Sequence, residues 1–183
     1  MSIAEEVAKK LTWEDIKDLP EEGKTELVEG KLVMSPTAGY PHQRIGTKLT
    51  LAIGPFVVGN DLGEFLGRDV HVIFDEHNHF EPDLCFIAKD RLGIIQGPTL
   101  NGPPDLIIEI ISESNRRHDT QLKFGYYERY GVREYWLVDP HEESIAVYVL
   151  SAGRYELLGE FRAGEIVQTR VLAGLELDPA RVF

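Results

Sequence analysis

The sequence predicts a single α/β domain in which a mixed sheet is flanked by helices. The predicted elements follow the order helix, three strands, helix, strand, which is typical of this class. Hydrophobic residues make up 43% of the 183 residues, enough for one sizeable core. Neither an internal repeat nor a Ser/Gly linker divides the chain. We therefore expect one domain over residues 1–183.

The N-terminal third predicts two helices and a hairpin. Thr12 followed by acids at 14 and 15 is typical of a helix start, and Leu19-Pro20 ends that helix. Residues 26–34 indicate a hairpin that turns near Gly30. Steps of three and four between apolar residues predict an amphipathic helix over 42–58, with its end frayed by Gly54-Pro55.

The remaining chain predicts strands around one more helix. Three strands are expected at 65–74, 82–88 and 106–112, and the polar segment 75–79 reads as a turn between the first two. A helix over 119–130, stopped by Gly131, precedes a strand at 135–138. The tail adds short strands at 145–150 and 154–161.

The charge balance argues against a large DNA footprint. The formal net charge is −12, whereas proteins that rely on phosphate contacts are usually basic. Local charge still counts more than the total, and the segment 116–133 carries five positive against two negative side chains. The composition therefore leaves a nucleic-acid enzyme possible.

A cytoplasmic setting is expected, without a membrane. No apolar run approaches the roughly 20 residues that cross a bilayer. The first ten residues do not have the pattern of a signal peptide. The single cysteine, Cys85, has no partner for an internal disulfide, which fits a reducing compartment.

Glu109 is the most informative residue for chemistry. It lies within five aliphatic residues, Leu106-Ile107-Ile108-Glu109-Ile110-Ile111, which is typical of a strand covered on both faces. A carboxylate there must be paired, protonated or metal-bound, because an isolated buried charge is very costly. The alternative is a glutamate at a strand end that reaches solvent or an arginine.

Asp83 gains its interest from pairing with Glu109. It precedes a second apolar strand, Leu84-Cys85-Phe86-Ile87, although Pro-Asp before a strand is usually turn chemistry. Two carboxylates at corresponding positions of neighbouring strands give an oxygen-rich site that suits Mg²⁺ or Mn²⁺. We therefore expect Asp83 and Glu109 to be the metal ligands.

Other polar residues give weaker signals. Lys123 borders an apolar stripe on the predicted helix and could extend over the strand ends, although helical lysines are usually solvated. His77 and His79 resemble a metal-binding pair, but no third ligand stands nearby in sequence. We expect both to be exposed in the turn. Cys85 is expected to be a core residue.

An ordered series of short motifs resembles the Uma-two family. This large bacterial group, formerly a domain of unknown function, is classed among the PD-(D/E)XK endonucleases. The resemblance covers nearly the whole chain. Its motifs in this sequence are Glu26-Leu27-Val28-Glu29-Gly30, Ser35-Pro36, His42, Glu81-Pro82-Asp83-Leu84, Pro104 through Ser112, Asp119, Lys123, Tyr127, Gly131 through Pro140, and Gly174-Leu175 through Phe183.

The resemblance implies a restriction-endonuclease-like core with an N-terminal hairpin and a C-terminal β extension. Its signature is Pro82-Asp83 followed by Glu109, and the usual lysine position two residues later holds Ile111. In such families the next helix is thought to supply the missing cation, which indicates Lys123. Two auxiliary catalytic candidates follow: Glu26, which could complete the metal site, and His42, which could orient water or bind metal.

The expected function is Mg²⁺- or Mn²⁺-dependent hydrolysis of nucleic-acid phosphodiesters, in DNA. Two alternatives stay open: a catalytically inactive nucleic-acid-binding or assembly module of the same fold, and a metal-dependent hydrolase of a small phosphorylated compound. Ile111 and the acidic charge favour the first alternative. A homodimer is also expected, because family members often pair and because the apolar residues of the C-terminal strands alternate poorly. These residues are Tyr148, Val149, Leu150, Tyr155, Leu157, Leu158 and Phe161.

Overall fold

The structure, a computed structural model, describes residues 9–19, 23–112 and 118–183. Within these ranges the helices are α1 (Trp13–Ile16), α2 (Tyr40–Gly59) and α3 (His118–Tyr130), with 3₁₀ turns at Lys89–Ile94 and Pro179–Arg181. The strands are β1 (Lys24–Val28), β2 (Lys31–Ser35), β3 (Gly63–Leu66), β4 (His71–Asp75), β5 (Asn78–Phe80), β6 (Leu84–Ala88), β7 (Ile95–Gln96), β8 (Thr99–Asn101), β9 (Leu106–Ile110), β10 (Glu134–Asp139), β11 (Ser144–Ser151) and β12 (Arg154–Phe161).

The strands form two mixed sheets of six strands each. The first sheet has the order β2-β1-β5-β4-β8-β7, and the second has the order β12-β11-β10-β9-β6-β3. The predicted α/β class is confirmed, but the prediction of a single mixed sheet was wrong. Residues 65–74 were expected to form one strand, whereas β3 belongs to the second sheet and β4 to the first. Between them the backbone bends at residues 68 and 69, and Asp69 has a left-handed φ of 65°.

The second sheet is covered on both faces, which explains its apolar strands. One face packs against Ile45, Leu49, Ile53 and Val57 of α2 and against the C-terminal tail. On the other face lie α3, through Tyr127, and residues of the first sheet. Successive residues of β9 therefore alternate between two cores, and every side chain of the strand is buried. Glu109 shares the α3 face with Ile107 because side chains alternate with a period of two.

Helix α2 continues past the expected fraying point. Pro55 lies inside the helix, which ends at Gly59. Pro55 is itself exposed, while Ile53 and Val57 on either side are fully buried. Burial of these neighbours offsets the hydrogen bond that proline removes. In the described ranges, no helix combines the length and apolar character that would let it cross a membrane.

The other N-terminal elements agree with the prediction. Thr12 and Asp15 form a capping box at the start of α1, which stabilises this short helix. Strands β1 and β2 pair antiparallel from Lys24↔Ser35 to Val28↔Lys31. Gly30 is in the turn with φ of 79°, and a Cβ there would lie 2.6 Å from Lys10 Cβ.

The C-terminal strands bury more apolar surface within the chain than their sequence suggested. Tyr148 and Tyr155 pack with Phe124 in the core beneath α3, and Phe161 is 8% exposed. Of the seven residues given as a motive for dimerisation, only Leu157 is exposed. The two cores on either side of the sheet therefore cover part of the apolar surface of these strands, and the homodimer stays a prediction.

Two further buried carboxylates have structural roles. Asp105 accepts hydrogen bonds from Arg91 Nη1 at 2.8 Å and from the Ala88 backbone N–H at 2.8 Å. Glu134 accepts from Trp136 Nε1 at 2.6 Å and from the backbone N–H of Arg170 at 2.7 Å. These donors stabilise the charges and tie loops to the second sheet, as buried charges require.

Candidate active site

Asp83 and Glu109 meet where β6 and β9 lie side by side. The strands are antiparallel, with Leu84 opposite Ile108, so the register continues to Asp83 opposite Glu109. The Ile110 backbone N–H donates to Asp83 Oδ2 at 2.8 Å, which fixes the carboxylate against the edge of β9. Asp83 is 2% exposed and Glu109 is 6% exposed. Both line one cavity of about 140 Å³.

The Asp83 carboxylate contacts a lysine ammonium and a histidine ring. Lys24 Nζ lies 2.7 Å from Oδ1, and His42 Nε2 lies 3.0 Å from Oδ2. Burial by itself would raise the pKa of Asp83, but His42 and Lys24 together hold that pKa well below its usual value. Asp83 is therefore an ionised, acceptor-only group, the form in which a carboxylate binds a metal.

Glu109 receives its contacts from α3. Lys123 Nζ lies 3.1 Å from Oε1, and the Tyr127 hydroxyl donates to the same oxygen at 2.7 Å. Burial raises the pKa of Glu109, and the nearby Lys123 and Lys24 ammonium groups oppose that rise. The other oxygen, Oε2, faces Lys24 Nζ at 3.9 Å. This oxygen therefore faces the same ammonium that contacts Asp83.

Glu26 and Lys123 extend the series of alternating charges that begins at Asp83. Lys123 Nζ lies 2.7 Å from Glu26 Oε1, so one ammonium joins Glu26 to Glu109. Burial by itself would lower the pKa of Lys123, but Glu109 and Glu26 raise it above its ordinary value, so the group stays charged. Glu26 Oε1 also accepts the Glu81 backbone N–H at 3.0 Å. All five residues singled out from the sequence therefore border one cavity.

A family model matches most of the chain. The Uma2 model, described as "Putative restriction endonuclease", matches residues 13–180. The chain belongs to the Uma2 family. The resemblance seen in the sequence is thereby confirmed, and Asp83, Glu109 and Lys123 all lie inside the matched region.

This Uma2 protein is also similar to one cyanobacterial protein sequence and to one crystal structure. A protein of Synechocystis sp. named "Uncharacterized protein sll1609" is 27% identical over 139 residues, which cover 75% of this chain and 78% of the relative. A crystal structure from Anabaena variabilis, titled as a "putative nuclease belonging to DUF820", matches with a TM-score of 0.80 and 22% identity. It covers 94% of this chain and 97% of that one, and it confirms the expected nuclease-like fold.

The structure adds site residues that the sequence interpretation missed. Lys24 contacts both Asp83 and Glu109, and Tyr127 bonds directly to Glu109. Arg68 also lines the cavity. A signal for Lys24 existed, because Lys24 and Glu26 are two residues apart on a strand and so share a face. Nothing in the local pattern indicates Arg68, which precedes β4 in an irregular segment.

His79 contradicts the expectation of an exposed turn. It lies in β5 and is 1% exposed, beside His71 at 3.0 Å between Nε2 and Nδ1. Burial and nearby positive charge lower the pKa of His79 to about 3. Glu81, 4% exposed, lies 3.6 Å from His71, and burial raises the pKa of Glu81 to about 7. His77, also expected to be exposed, is half-buried; it remains outside this group and contacts the Leu11 carbonyl.

The donor set of the cavity suits a hard divalent metal. Asp83, Glu109 and Glu26 supply carboxylate oxygens, the ligands that Mg²⁺ and Mn²⁺ prefer. The Lys24 ammonium contacts both Asp83 and Glu109, so a positive charge already fits at that position. The residues therefore fit a metal there, with Lys24 as the group that must move aside.

Replacing Lys24 by methionine is expected to tighten Mn²⁺ binding about tenfold, the equivalent of ~1.4 kcal/mol. The reason is that the metal then no longer competes with an ammonium for Asp83 and Glu109. Isothermal titration with Mn²⁺ measures the effect. The exposed Lys31 of β2 provides the control, because Lys31→Met removes the same charge away from the cavity. Weaker binding in Lys24→Met than in Lys31→Met would contradict the competition.

Proposed function

We propose that this Uma2 protein is a Mg²⁺- or Mn²⁺-dependent endonuclease that hydrolyses phosphodiester bonds in DNA. The proposal depends chiefly on one observation: three carboxylates and two ammonium groups converge on a single cavity. Carboxylates without cations would repel a phosphate, and cations alone would not hold a metal. The combination suits an anionic substrate that is bound through a cation.

Asp83 and Glu109 would hold the metal, and Glu26 would supply a further oxygen. When bound, the metal lowers the pKa of a water molecule and offsets charge on the phosphate. Lys123 keeps its proton, so it acts as a donor that orients the attacking water or stabilises charge on the pentacovalent phosphorus. Lys123 reaches Glu109 from α3, so it would take the role of the lysine that is usual at the position held here by Ile111.

His42 has a supporting role at the mouth of the cavity. Its Nε2 contacts Asp83, so the ring orients that carboxylate. The helix α2 begins at Tyr40, which brings the imidazole over the end of β6. Arg68 lines the same cavity and adds a positive charge for the phosphate.

A cleavage assay tests the proposal. Single-stranded DNA, duplex DNA and RNA are incubated with the protein in Mg²⁺, Mn²⁺ or chelator. We expect metal-dependent nicking of DNA that chelator abolishes. Hydrolysis of only a small phosphodiester would favour an enzyme for small phosphorylated compounds, and metal binding without any hydrolysis would favour an inactive binding module. Either result would overturn the DNA endonuclease.

We also propose that the protein is a homodimer in the cytoplasm. Strand β12 is an edge of the second sheet, eight residues long, and exposes Leu157. An unpaired edge of this length is a surface for pairing with a second copy. The buried free thiol of Cys85 fits the reducing compartment.

Sedimentation equilibrium at micromolar concentration is expected to give twice the chain mass of 20.7 kDa. Introducing a proline at Leu157 should shift the mass toward the monomer, because proline cannot donate to a new ladder and Leu157 is on the edge. Leu157→Lys, at the same position of the edge strand, serves as the second variant. A clean monomer for the unmodified chain would refute the dimer.

A further inference from the structure

A second cluster of metal-ligating side chains lies behind the cavity described above. We propose that His71, His79 and Glu81 bind a borderline transition-metal ion such as Zn²⁺. Each residue offers one ligand atom, and these atoms all lie within 4.8 Å of one another. The cluster is distinct from the proposed Mg²⁺ site in its residues. The inference does not depend on nuclease activity.

The distances suit a tetrahedral ion. With metal–ligand bonds of about 2.0–2.1 Å, neighbouring ligand atoms in a tetrahedron are about 3.3–3.4 Å apart. His71 Nδ1 lies 3.0 Å from His79 Nε2 and 3.6 Å from Glu81 Oε1. The two values bracket the ideal separation. The third pair, His79 and Glu81, also lies within 4.8 Å.

The donor chemistry selects a different metal from the first site. Two imidazole nitrogens and one carboxylate oxygen are the ligand set of open zinc sites, in which a fourth position is left for water. Mg²⁺ prefers the all-oxygen set of Asp83, Glu109 and Glu26. The two clusters therefore differ in the class of ion that each should select.

The surroundings hold the ligands in place and leave a route for the ion. The Trp13 ring packs at 4.7 Å from the His71 ring and at 4.9 Å from the His79 ring, between centroids. A cavity of about 330 Å³ opens onto His71 and Glu81. The fourth coordination position can face this space. Lys24 and Arg68 also line the cavity and oppose a cation there, while Asp69 adds a negative charge.

Metal binding at this cluster would affect the first site through the backbone N–H of Glu81. The backbone N–H of Glu81 donates to Glu26 Oε1 at 3.0 Å, and Glu81 Oε1 accepts the Thr25 N–H at 2.8 Å. An ion that fixes Glu81 therefore also fixes the position of Glu26. Without an ion, the two imidazole rings share a hydrogen bond next to the buried Glu81 carboxylate. A metal titration distinguishes this arrangement from the metal-bound one.

Titration of the chelator-treated, full-length protein with Co²⁺ tests the proposal. Co²⁺ reports tetrahedral nitrogen and oxygen ligands by strong visible absorption, and Zn²⁺ should displace it. We expect one tetrahedrally bound Co²⁺ ion per chain, counted by its strong visible absorption, and a rise in melting temperature with Zn²⁺ because the ion binds the folded state. His71→Ala and Glu81→Gln should each weaken Co²⁺ binding by about 100-fold or more, since the effect of a direct ligand should reach or exceed the 10–100-fold of outer-shell partners.

Two controls make the result decisive. His141 is in an exposed turn, with a side chain that is 64% exposed, so His141→Ala should leave Co²⁺ binding unchanged. Asp83→Asn should also keep the Co²⁺ absorption while it removes the proposed Mg²⁺ site. Circular dichroism verifies that each variant is folded, and Glu81→Gln keeps the side-chain size if His71→Ala does not fold. No tetrahedral absorption in the unmodified protein, or absorption lost in Asp83→Asn but kept in Glu81→Gln, would overturn the inference.

Discussion

Replacing Asp83 by asparagine is expected to lower metal-dependent cleavage by at least about 10²–10³-fold, the range for loss of one preorganised electrostatic group. The change removes the charge that Lys24 and His42 hold in place and one of the two proposed metal ligands. The fold should survive, because the asparagine carbonyl oxygen can still accept the Ile110 N–H. Initial rates on the DNA substrate in Mn²⁺ give the measurement.

The control for this change is an acid outside the cavity. Asp61 follows α2 and its side chain is 79% exposed, so Asp61→Asn removes the same charge without touching the site. Asn also tolerates the left-handed backbone at this position, where φ is 54°. We expect Asp61→Asn to cleave like the unmodified protein. Equal rates for Asp83→Asn and Asp61→Asn would exclude Asp83 from the chemistry.

Replacing Lys123 by methionine is expected to lower the free energy of unfolding by about 3–5 kcal/mol in the absence of metal. Methionine fills the volume of the lysine stem but leaves Glu26 and Glu109 buried without their shared cation. Turnover should fall as well, because the proposed hydrogen-bond donor to the reacting phosphate is lost. Metal affinity should stay the same or improve, since a competing cation is gone.

Urea unfolding with and without Mn²⁺ measures both effects of Lys123→Met. Mn²⁺ should restore part of the lost stability, because the ion supplies positive charge to the same carboxylates. Lys89→Met is the matched control: Lys89 pairs with Asp61 at the surface and its side chain is 60% exposed. Exposed ion pairs contribute at most about 1 kcal/mol. Full cleavage by a folded Lys123→Met protein would remove Lys123 from the mechanism.

Local sequence patterns were sufficient to indicate the central acids. Five aliphatic residues around Glu109 and an apolar strand after Asp83 report burial directly, because the covered strands of such a sheet have apolar residues on both faces. The same patterns predicted β6, β9 and α3 to within a few residues. The family resemblance then nominated Lys123, Glu26 and His42, and all three line the cavity.

Burial of an acid did not by itself distinguish a site from a structural contact. Glu134 is 0% exposed and Asp105 is 1% exposed, yet both are satisfied by arginine, indole or backbone donors outside the cavity of Glu109. Glu109 differs because its partners, Lys123 and Tyr127, are next to a cavity that also contains Asp83. Only the packing of α3 against the sheet reveals that difference.

The sequence by itself determined that the strands containing or following Asp83 and Glu109 are buried, because apolar runs of this kind follow from local backbone geometry and two-sided burial. Only the tertiary structure decided that residues 65–74 divide between two sheets, and that Lys24 lies between Asp83 and Glu109. It also decided that His79 is buried beside His71. Such contacts join positions that are distant along the chain, and they depend on which strands become neighbours, which no local pattern specifies.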